Sequence, residues 1–360
     1  MLRWAEVYLN RLKKNFNLLR KFTGRKKIIA VVKANAYGHG SVPVSLFLER
    51  ETDVDMFAVA TIDEGRELRE GGVKKPILVM SNPLIEGIKE IKEFNLTPVV
   101  FDFESLEIAV KNGISFHLKV DTGMGRLGFL PYEWEKVFEK VDFSLLEGVM
   151  SHFADSDTDP EFTQYQYRMF MPFVKRVLSV KKVAVHIDNS GAVPASFDGF
   201  LTHSRIGLAL YGSKPYPDFP VPIEQVMEVK SKVIDVKMLP PNWGVSYGRT
   251  YITKKRERTA VVAFGYADGF IRSLSNKWQV KINGDFAPVL GRICMDMTVV
   301  SVEKIDVRIG DEVVITDREL TFDKMAERAG TISYEIMCDI SPRVKRIFIE
   351  GEDGKVLSCL

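Results

Sequence analysis

Reactive side chains close several apolar segments in the first two thirds of the chain. Lys33 stands at the end of the apolar run 28–34, where burial would force its ammonium group to lose its proton or to find a partner. A desolvated lysine can form a Schiff base with a carbonyl compound. A lysine at a strand end can also extend into solvent, so Lys33 taken alone leaves both interpretations open.

Three more polar groups end other apolar segments: His152, His186 and Arg205. A buried arginine needs partners, and the two histidines lie on neighbouring segments. The loops 189–191 and 206–208 combine small residues with a hydroxyl, which lets backbone N–H groups approach a phosphate. Each loop alone is equally typical of an ordinary turn.

These groups need a scaffold that brings segment ends together. Eight short apolar segments alternate with helical patterns, and apolar runs of this kind are typical of a parallel sheet buried on both faces. The predicted strands are 28–34, 56–62, 76–80, 97–101, 115–121, 146–153, 182–188 and 202–206. Eight such units predict a (β/α)8 barrel over residues 1–226, whose active site would lie at the carboxyl ends of its strands. We expect one further helix, over 5–21, before the first strand.

Local signals delimit several helices. Thr61 followed by Glu64 predicts a capping box. Asp159 before Pro160 predicts the start of a long helix that ends near residue 178. A helix over 104–112 should end at the following glycine.

After residue 226 the pattern changes to short segments that alternate with period two. The pair Asn283-Gly284 predicts a hairpin over 280–290. Further strands are predicted over 259–264, 297–302, 312–316 and 344–349, with one helix over 321–329. We therefore expect a mostly-β domain, 227–360, after the barrel.

Composition and charge narrow the function classes. Fifty basic and 48 acidic residues leave a net charge of +2, which does not favour nucleic acid or a membrane surface as partner. The N-terminal sequence lacks a signal-peptide core, no stretch has the length of a membrane helix, and three cysteines do not form a disulfide framework. We expect a cytoplasmic protein. Metal-ligand spacing and a Walker loop are both absent from the sequence.

Eight motifs together resemble those of the alanine racemases, pyridoxal-phosphate (PLP) enzymes of fold type III. Residues 30–40, AVVKANAYGHG, are similar to the PLP-lysine motif of that family. The others follow in the family order: KVDTGMGR (119–126), SHFADSD (151–157), RIGLALYG (205–212), VSYGRTY (245–251), GYADG (265–269), GRICMDM (291–297) and TISY (331–334). The resemblance covers nearly the whole chain.

The resemblance implies a two-base racemisation of alanine. Lys33 would bind PLP as a Schiff base and act as the base on one face of the substrate Cα, and Tyr247 of the partner subunit would act on the opposite face. Two bases on opposite faces remove and return a proton without turning the substrate over. The active site would then require a homodimer, and the usual product of the family is D-alanine for bacterial peptidoglycan.

The resemblance also implies roles around the cofactor. Arg205 would bond the pyridine nitrogen with support from His186, and because arginine keeps its proton we hypothesise that it limits side reactions such as transamination. Five residues would bind the phosphate, two of them through backbone N–H: Tyr37, Ser190, Gly207, Leu208 and Tyr334. His152 would orient Tyr247 beside the cofactor.

On the substrate side, Arg126 would contact the phenolate oxygen of PLP, and the backbone of the partner's Met295 would hold the substrate carboxylate. Lys119 would brace Arg126; in some family members the equivalent lysine is carbamylated. Tyr266, in the GYADG motif, would support the site. His117 and His203 are expected to be structural, and no metal is expected.

Three other functions stay open from the sequence. A racemase with broader specificity, for serine, differs from the first interpretation only in the size of its pocket. A fold type III amino-acid decarboxylase usually has an acidic partner at the pyridine nitrogen, which Arg205 disfavours. A non-catalytic PLP carrier resembles the barrel alone, so the predicted second domain disfavours it.

Overall fold

The N-terminal segment forms a strand before its helix. A computed structural model describes residues 1–81, 87–195, 197, 199–351 and 355–359, the last segment for its backbone only. The helix predicted over 5–21 is wrong at its start: strand β1 spans Arg3–Tyr8 and helix α1 spans Leu9–Phe22. Ala5 and Val7 are buried while Glu6 is half-buried, which is the period-two alternation of a strand.

All eight predicted barrel strands are confirmed, although most end earlier than predicted. They are β2 (Lys27–Val31), β3 (Met56–Val59), β4 (Ile77–Val79), β5 (Thr97–Val100), β6 (Phe116–Lys119), β7 (Leu146–Met150), β8 (Ala184–His186) and β9 (His203–Ile206). They pair in parallel in the order β8-β7-β6-β5-β4-β3-β2-β9. Backbone bonds from Thr202 to Val185 and from Arg205 to Asp188 join β9 to β8, so the sheet closes into the expected barrel.

Helices connect the barrel strands. They are α2 (Lys33–Tyr37), α3 (Ser41–Glu51), α4 (Ile62–Glu70), α5 (Ile88–Glu93), α6 (Phe103–Lys111), α7 (Trp134–Lys140) and α8 (Pro160–Leu178). The capping box of Thr61 and Glu64 is confirmed, and Asp159 caps α8 by accepting a bond from Phe162 N. In the described part of the chain, no helix combines the length and apolar character needed to cross a membrane.

A mostly-β unit follows the barrel. Its strands are β10 (Met227–Leu239), β11 (Gly244–Val245), β12 (Tyr251–Ile252), β13 (Glu257–Val262), β14 (Gln279–Ile282), β15 (Asp285–Pro288), β16 (Thr298–Ser301), β17 (Glu312–Thr316), β18 (Lys345–Glu350) and β19 (Lys355–Cys359). The predicted hairpin is confirmed as β14–β15, with Asn283 and Gly284 both at positive φ. Helix α9 (Phe322–Ala329) was predicted; the short helix α10 (Ser333–Cys338) was not.

Strand β1 joins the two units. It lies in the sheet of the β unit, antiparallel to β10 and parallel to β18. In sequence, β1 therefore lies before residue 226, the predicted boundary between the barrel and the β domain, but it pairs with strands that follow that boundary. Buried apolar side chains of the barrel and of the β unit form one continuous core, which fixes the barrel mouth relative to the β unit.

Candidate active site

The residues after β2 form a left-handed turn that places two candidate residues. Ala34, Asn35, Ala36 and Tyr37 have φ angles of 51°, 53°, 52° and 53°. Residues other than glycine rarely adopt this conformation, which costs on the order of 1 kcal/mol each. Lys33 begins the turn rather than closing β2, and Tyr37 ends it. The fold therefore imposes the relative position of these two side chains.

Hydrogen bonds from other elements hold this turn. Glu64 of α4 accepts a bond from Ala34 N at 2.7 Å, and Asn35 Oδ1 accepts one from Ser41 N at 2.8 Å. His39 Nδ1 lies 3.0 Å from Ala36 O and 2.9 Å from Tyr37 O. Both oxygens can only accept, so Nδ1 carries the proton. Complete burial lowers the pKa of His39 to about 4, so its ring is neutral near pH 7.

Arg205 is the centre of the hydrogen-bond network at the mouth. It is buried, and its Nη1 donates to His186 Nδ1 at 2.6 Å while Nη2 donates to His152 Nδ1 at 3.0 Å. The carbonyls of residues 151, 186 and 187 accept further bonds from the same guanidinium group. Burial lowers the pKa of Arg205 to about 10, so it remains a cation at neutral pH.

The arginine fixes the state of both histidines. Since arginine only donates, each Nδ1 must accept, and a neutral ring then carries its proton on Nε2. Burial, followed by the charge of Arg205, holds the pKa values of His152 and His186 well below the ordinary value. His186 Nε2 in turn donates to His117 Nδ1 at 2.9 Å. His117 thus extends this chain of hydrogen bonds, a link that sequence reasoning missed because no local pattern pairs the two rings.

His203 is a neighbour of His186, with 6.4 Å between the ring centres, but its own hydrogen bonds go to other residues. It pairs with Asp55 at 3.0 Å, and Thr202 bonds its other ring nitrogen. Both residues precede or begin strands at the amino end of the barrel, opposite the mouth.

Positive charge accumulates around Lys33. Lys119 is buried at the end of β6, and burial followed by the charges of Arg205, Arg126 and Lys33 lowers its pKa to about 8. Lys119 is therefore still mostly protonated at pH 7, but it loses its proton at a lower pH than an exposed lysine. Four cationic residues, Lys33, Lys119, Arg126 and Arg205, lie near one another, with Asp121 as the near counter-charge of Lys119, so the mouth favours an anionic ligand.

Asp121 organises the loop that carries Arg126. Its Oδ1 accepts bonds from Gly123 N and Met124 N at 2.8 and 2.9 Å, and its Oδ2 accepts one from Arg126 N at 3.0 Å. These bonds lower the pKa of Asp121 although burial opposes them. Sequence reasoning assigned no role to Asp121; an aspartate two residues before a Gly-x-Gly segment is the signal that would have found it.

The residues expected to bind phosphate lie together. Ser190 Oγ accepts bonds from Gly207 N at 3.1 Å and Ala209 N at 3.3 Å. A Cβ atom on Gly207 would lie 2.5 Å from the Tyr37 hydroxyl, so only glycine fits there. Tyr334 reaches this cluster from α10, its ring centre 5.9 Å from that of Tyr37. Leu208 follows Gly207 and is buried.

The candidates of the β unit form a second, exposed cluster. Tyr247 is 71% exposed, Met295 is 53% exposed and Tyr266 is 42% exposed, so their own chain encloses none of them. Ser246 Oγ donates to Arg292 O at 2.5 Å, which joins the loop of Tyr247 to that of Met295. Tyr266 N and Ala267 N donate to the carbonyls of residues 294 and 295. The three predicted side chains thus share one surface.

Two family models cover most of this chain. The model described as "Alanine racemase, N-terminal domain" matches residues 7–215, and that described as "Alanine racemase, C-terminal domain" matches residues 226–348. The boundary between the two matches lies where the barrel ends and the β unit begins.

Curated relatives and solved structures agree with these matches. The chain is 44% identical to the alanine racemase of Aquifex aeolicus over 344 residues, which is 96% of this chain and 98% of that protein. It is similar to a solved alanine racemase of Clostridium difficile, with a TM-score of 0.92, 35% identity and coverage of 100% of this chain and 98% of the other. The structure of alanine racemase from Bacillus anthracis with bound L-Ala-P matches with a TM-score of 0.89 and 34% identity, covering 99% and 97% of the two chains.

The left-handed turn predicts an unusual response to glycine. Ala34 is exposed, so Ala34→Gly removes backbone strain without removing buried surface, and we expect the free energy of unfolding to stay constant or rise. Ala329→Gly at the end of the right-handed helix α9 is the control, with an expected loss of about 1 kcal/mol. Urea unfolding measures both. Equal losses in the two variants would contradict the assigned strain.

His39 predicts a pH dependence of stability. Its folded pKa of about 4 lies below the value of about 6.5 for an unfolded histidine. The unfolded chain therefore binds more protons below pH 6.5, and stability falls as the pH drops from 6.5 towards 4.

The variant His39→Asn isolates this effect, since an asparagine amide can still donate but does not titrate. We expect the free energy of unfolding of the wild type to fall more steeply between pH 6.5 and 4.5, by up to about 1.4 kcal/mol per pH unit. Urea unfolding across this range provides the comparison. Parallel curves for the two proteins would refute the prediction.

Proposed function

The chain belongs to the alanine racemase family, and we propose that it is an isomerase that interconverts L-alanine and D-alanine with PLP as cofactor. One observation carries the proposal: the turn after β2 begins with Lys33, which lies close enough to His152 of the Arg205 network for its charge to lower the pKa of that ring, and ends with Tyr37, whose hydroxyl lies against Gly207 beside Ser190. A single ligand with an aldehyde, a basic ring nitrogen and a phosphate would match these three features at once. The near-complete coverage by curated alanine racemases supports the same substrate.

The residues of the mouth fit PLP. Because Gly207 has no side chain, the Tyr37 hydroxyl lies against its backbone, next to Ser190, and this grouping of two hydroxyls with backbone N–H groups suits a phosphate. The cations Lys119 and Arg126 suit the phenolate oxygen. Arg205, a cation that only donates, suits an unprotonated pyridine nitrogen as acceptor.

PLP, when bound, supplies the electron sink that makes the Cα–H bond of an amino acid acidic. Lys33 would hold the cofactor through its amine and would move a proton on one face of Cα. Tyr247 of the partner subunit moves a proton on the other face. The Tyr247 hydroxyl needs a hydrogen-bond partner in that position. Because His152 accepts a bond from Arg205 at Nδ1, its Nε2–H would be the donor to the tyrosine oxygen.

Arg205 tunes this chemistry. Its guanidinium group is fixed by three carbonyls and two neutral histidines rather than by a carboxylate. Such a group keeps its own proton, so it would donate a hydrogen bond to a pyridine nitrogen without transferring a proton to it. We infer that this limits transamination, with His186 and His117 holding the geometry.

The exposure of the candidate residues on the β unit supports a homodimer as part of this proposal. Tyr247 and Met295 are exposed on the β unit, and large apolar side chains such as Trp243 and Met297 are exposed in the same part of the sequence. We propose that this surface covers the mouth of a partner subunit, with Met295 towards the substrate carboxylate beside Arg126 and with Tyr266 supporting it. The expected product role is D-alanine for peptidoglycan, and the free thiols of Cys294 and Cys338 suit a cytoplasmic location.

Chiral analysis of product tests the function. Purified protein without added PLP should convert L-alanine to D-alanine, and Lys33→Ala should abolish the reaction. Tyr247→Phe should lower kcat by about 10² to 10⁴, since a proton-transfer group is removed. Tyr132→Phe is the matched control: Tyr132 is 81% exposed on the barrel, and its loss should leave kcat unchanged. Loss of CO₂, or Cα exchange in other amino acids without D-alanine, would replace this function by another.

Subunit complementation tests the shared site. A heterodimer of Lys33→Ala and Tyr247→Phe subunits holds one doubly damaged site and one intact site if Tyr247 acts across the interface. Mixing the two inactive proteins under conditions of subunit exchange should then restore about a quarter of wild-type activity. A site built within one subunit would restore none.

A further inference from the structure

Arg346 is a buried arginine without a carboxylate. It is the second residue of β18 and is 7% exposed. Its Nη1 donates to Ser341 O and Val344 O at 2.6 Å each, and its Nη2 donates to Ile340 O. In the part of the chain that the structure describes, it forms no ion pair. Burying a guanidinium group without a counter-charge is costly, and burial lowers the pKa of Arg346 to about 10.

The fourth bond of Arg346 leaves its own neighbourhood. Its Nε donates to Gly38 O at 2.9 Å, across more than 300 positions of sequence. Gly38 follows the left-handed turn and is itself at a φ of 80°. The β unit also packs directly on this residue, since a Cβ atom on Gly38 would lie 2.2 Å from Met337 O. Arg346 thus connects the β unit to the segment that begins with Lys33.

The bond between Arg346 and Gly38 lies next to a segment whose backbone conformation is unfavourable on its own. The four residues between Lys33 and Gly38 adopt a conformation that L-residues disfavour, so the turn depends on anchors outside it. Glu64 and Ser41 bind its early residues, and His39 lies within hydrogen-bond distance of the carbonyls of residues 36 and 37. Arg346 binds its end, next to Tyr37.

We propose that Arg346 is a positioning residue that holds the 33–38 turn against the β unit of the same subunit and thereby sets the distance between Lys33 and Tyr37. The proposal rests on the proposed function, because those two residues would bind opposite ends of PLP. Cofactor affinity is then set partly by the β unit in cis, separately from the contribution of that unit to the partner's site.

Two substitutions separate charge from geometry. Arg346→Lys keeps the charge, but a single ammonium group has three donors and no planar fork, so it cannot serve four carbonyls at these positions. Arg346→Met keeps much of the volume and removes the charge. Both variants should release Gly38 and broaden the positions of Lys33 and Tyr37.

Arg69 provides a matched control. It too donates to four carbonyls, those of Phe94, Val73, Lys75 and Asn95, at 2.8 to 3.1 Å, and burial lowers its pKa. These partners precede β4 and β5, so Arg69 lies at the amino end of the barrel, opposite the mouth. Arg69→Lys should therefore cost stability through the same type of bond without touching the turn.

The measurement is equilibrium dialysis of PLP against protein freed of cofactor, with thermal unfolding of the same samples. We expect the PLP dissociation constant to rise by about tenfold or more in both Arg346 variants, and to change by less than about threefold in Arg69→Lys. Unfolding temperatures should fall similarly in Arg346→Lys and Arg69→Lys. Equal affinity in wild type and Arg346→Lys, or an equal rise in Arg69→Lys, would overturn the proposal.

A second test uses the wild-type protein alone, so its outcome does not depend on whether a variant folds. Hydrogen exchange should slow in residues 340–346 as well as in 33–38 when PLP is added, because the two segments share the Arg346 bonds. Protection confined to the barrel would contradict the coupling. Failure of the wild type to bind PLP at all would instead remove the proposed function, so the two failures are distinguishable.

Discussion

The site depends on a stretch of backbone in the left-handed conformation, which L-amino acids disfavour. Four consecutive residues after β2 adopt positive φ angles although none of them is glycine, and no local preference of alanine or tyrosine supports that choice. Bonds from α3, α4, His39 and β18 supply the missing support. The result is a rigid unit that presents an amine at one end and a phenol at the other. Packing of remote elements thus takes the place of local propensity at the point where precision matters.

The two buried arginines near the mouth share one feature: the groups that accept their hydrogen bonds are neutral. Arg205 is satisfied by carbonyls and by neutral imidazoles, and Arg346 by carbonyls alone. Because few carboxylates offset them, the positive charge remains available to a ligand. The arrangement is costly for an empty protein and favourable once an anion arrives. Strain in the turn and uncompensated charge therefore both lower the stability of the chain in favour of binding.

Much of the fold was predictable because its signals are local. The eight barrel strands are buried apolar runs bounded by helix signals, and Thr61 and Asp159 cap barrel helices through side-chain hydrogen bonds. In the β unit, Asn283 marks the hairpin turn by its positive φ. The parts that escaped prediction depend on distant partners. Residues 5–8 read as helix because their alternation merges with the pattern of α1, and only β10 and β18 make them a strand. Likewise, nothing near Arg346 in the sequence indicates that it reaches Gly38. The roles of Tyr247 and Met295 came from the resemblance and stay predictions.

The position of β1 has a consequence for biosynthesis. This strand is translated before the barrel, yet one of its neighbours, β18, is translated more than 300 residues later. The ribosome must therefore synthesise the barrel and most of the β unit before β1 can pair with β18. During that interval its unpaired edges and apolar face are open to other strands. We expect factors that shield nascent chains to bind the growing polypeptide at this stage. The sheet of the β unit is complete only when β18 has paired with β1.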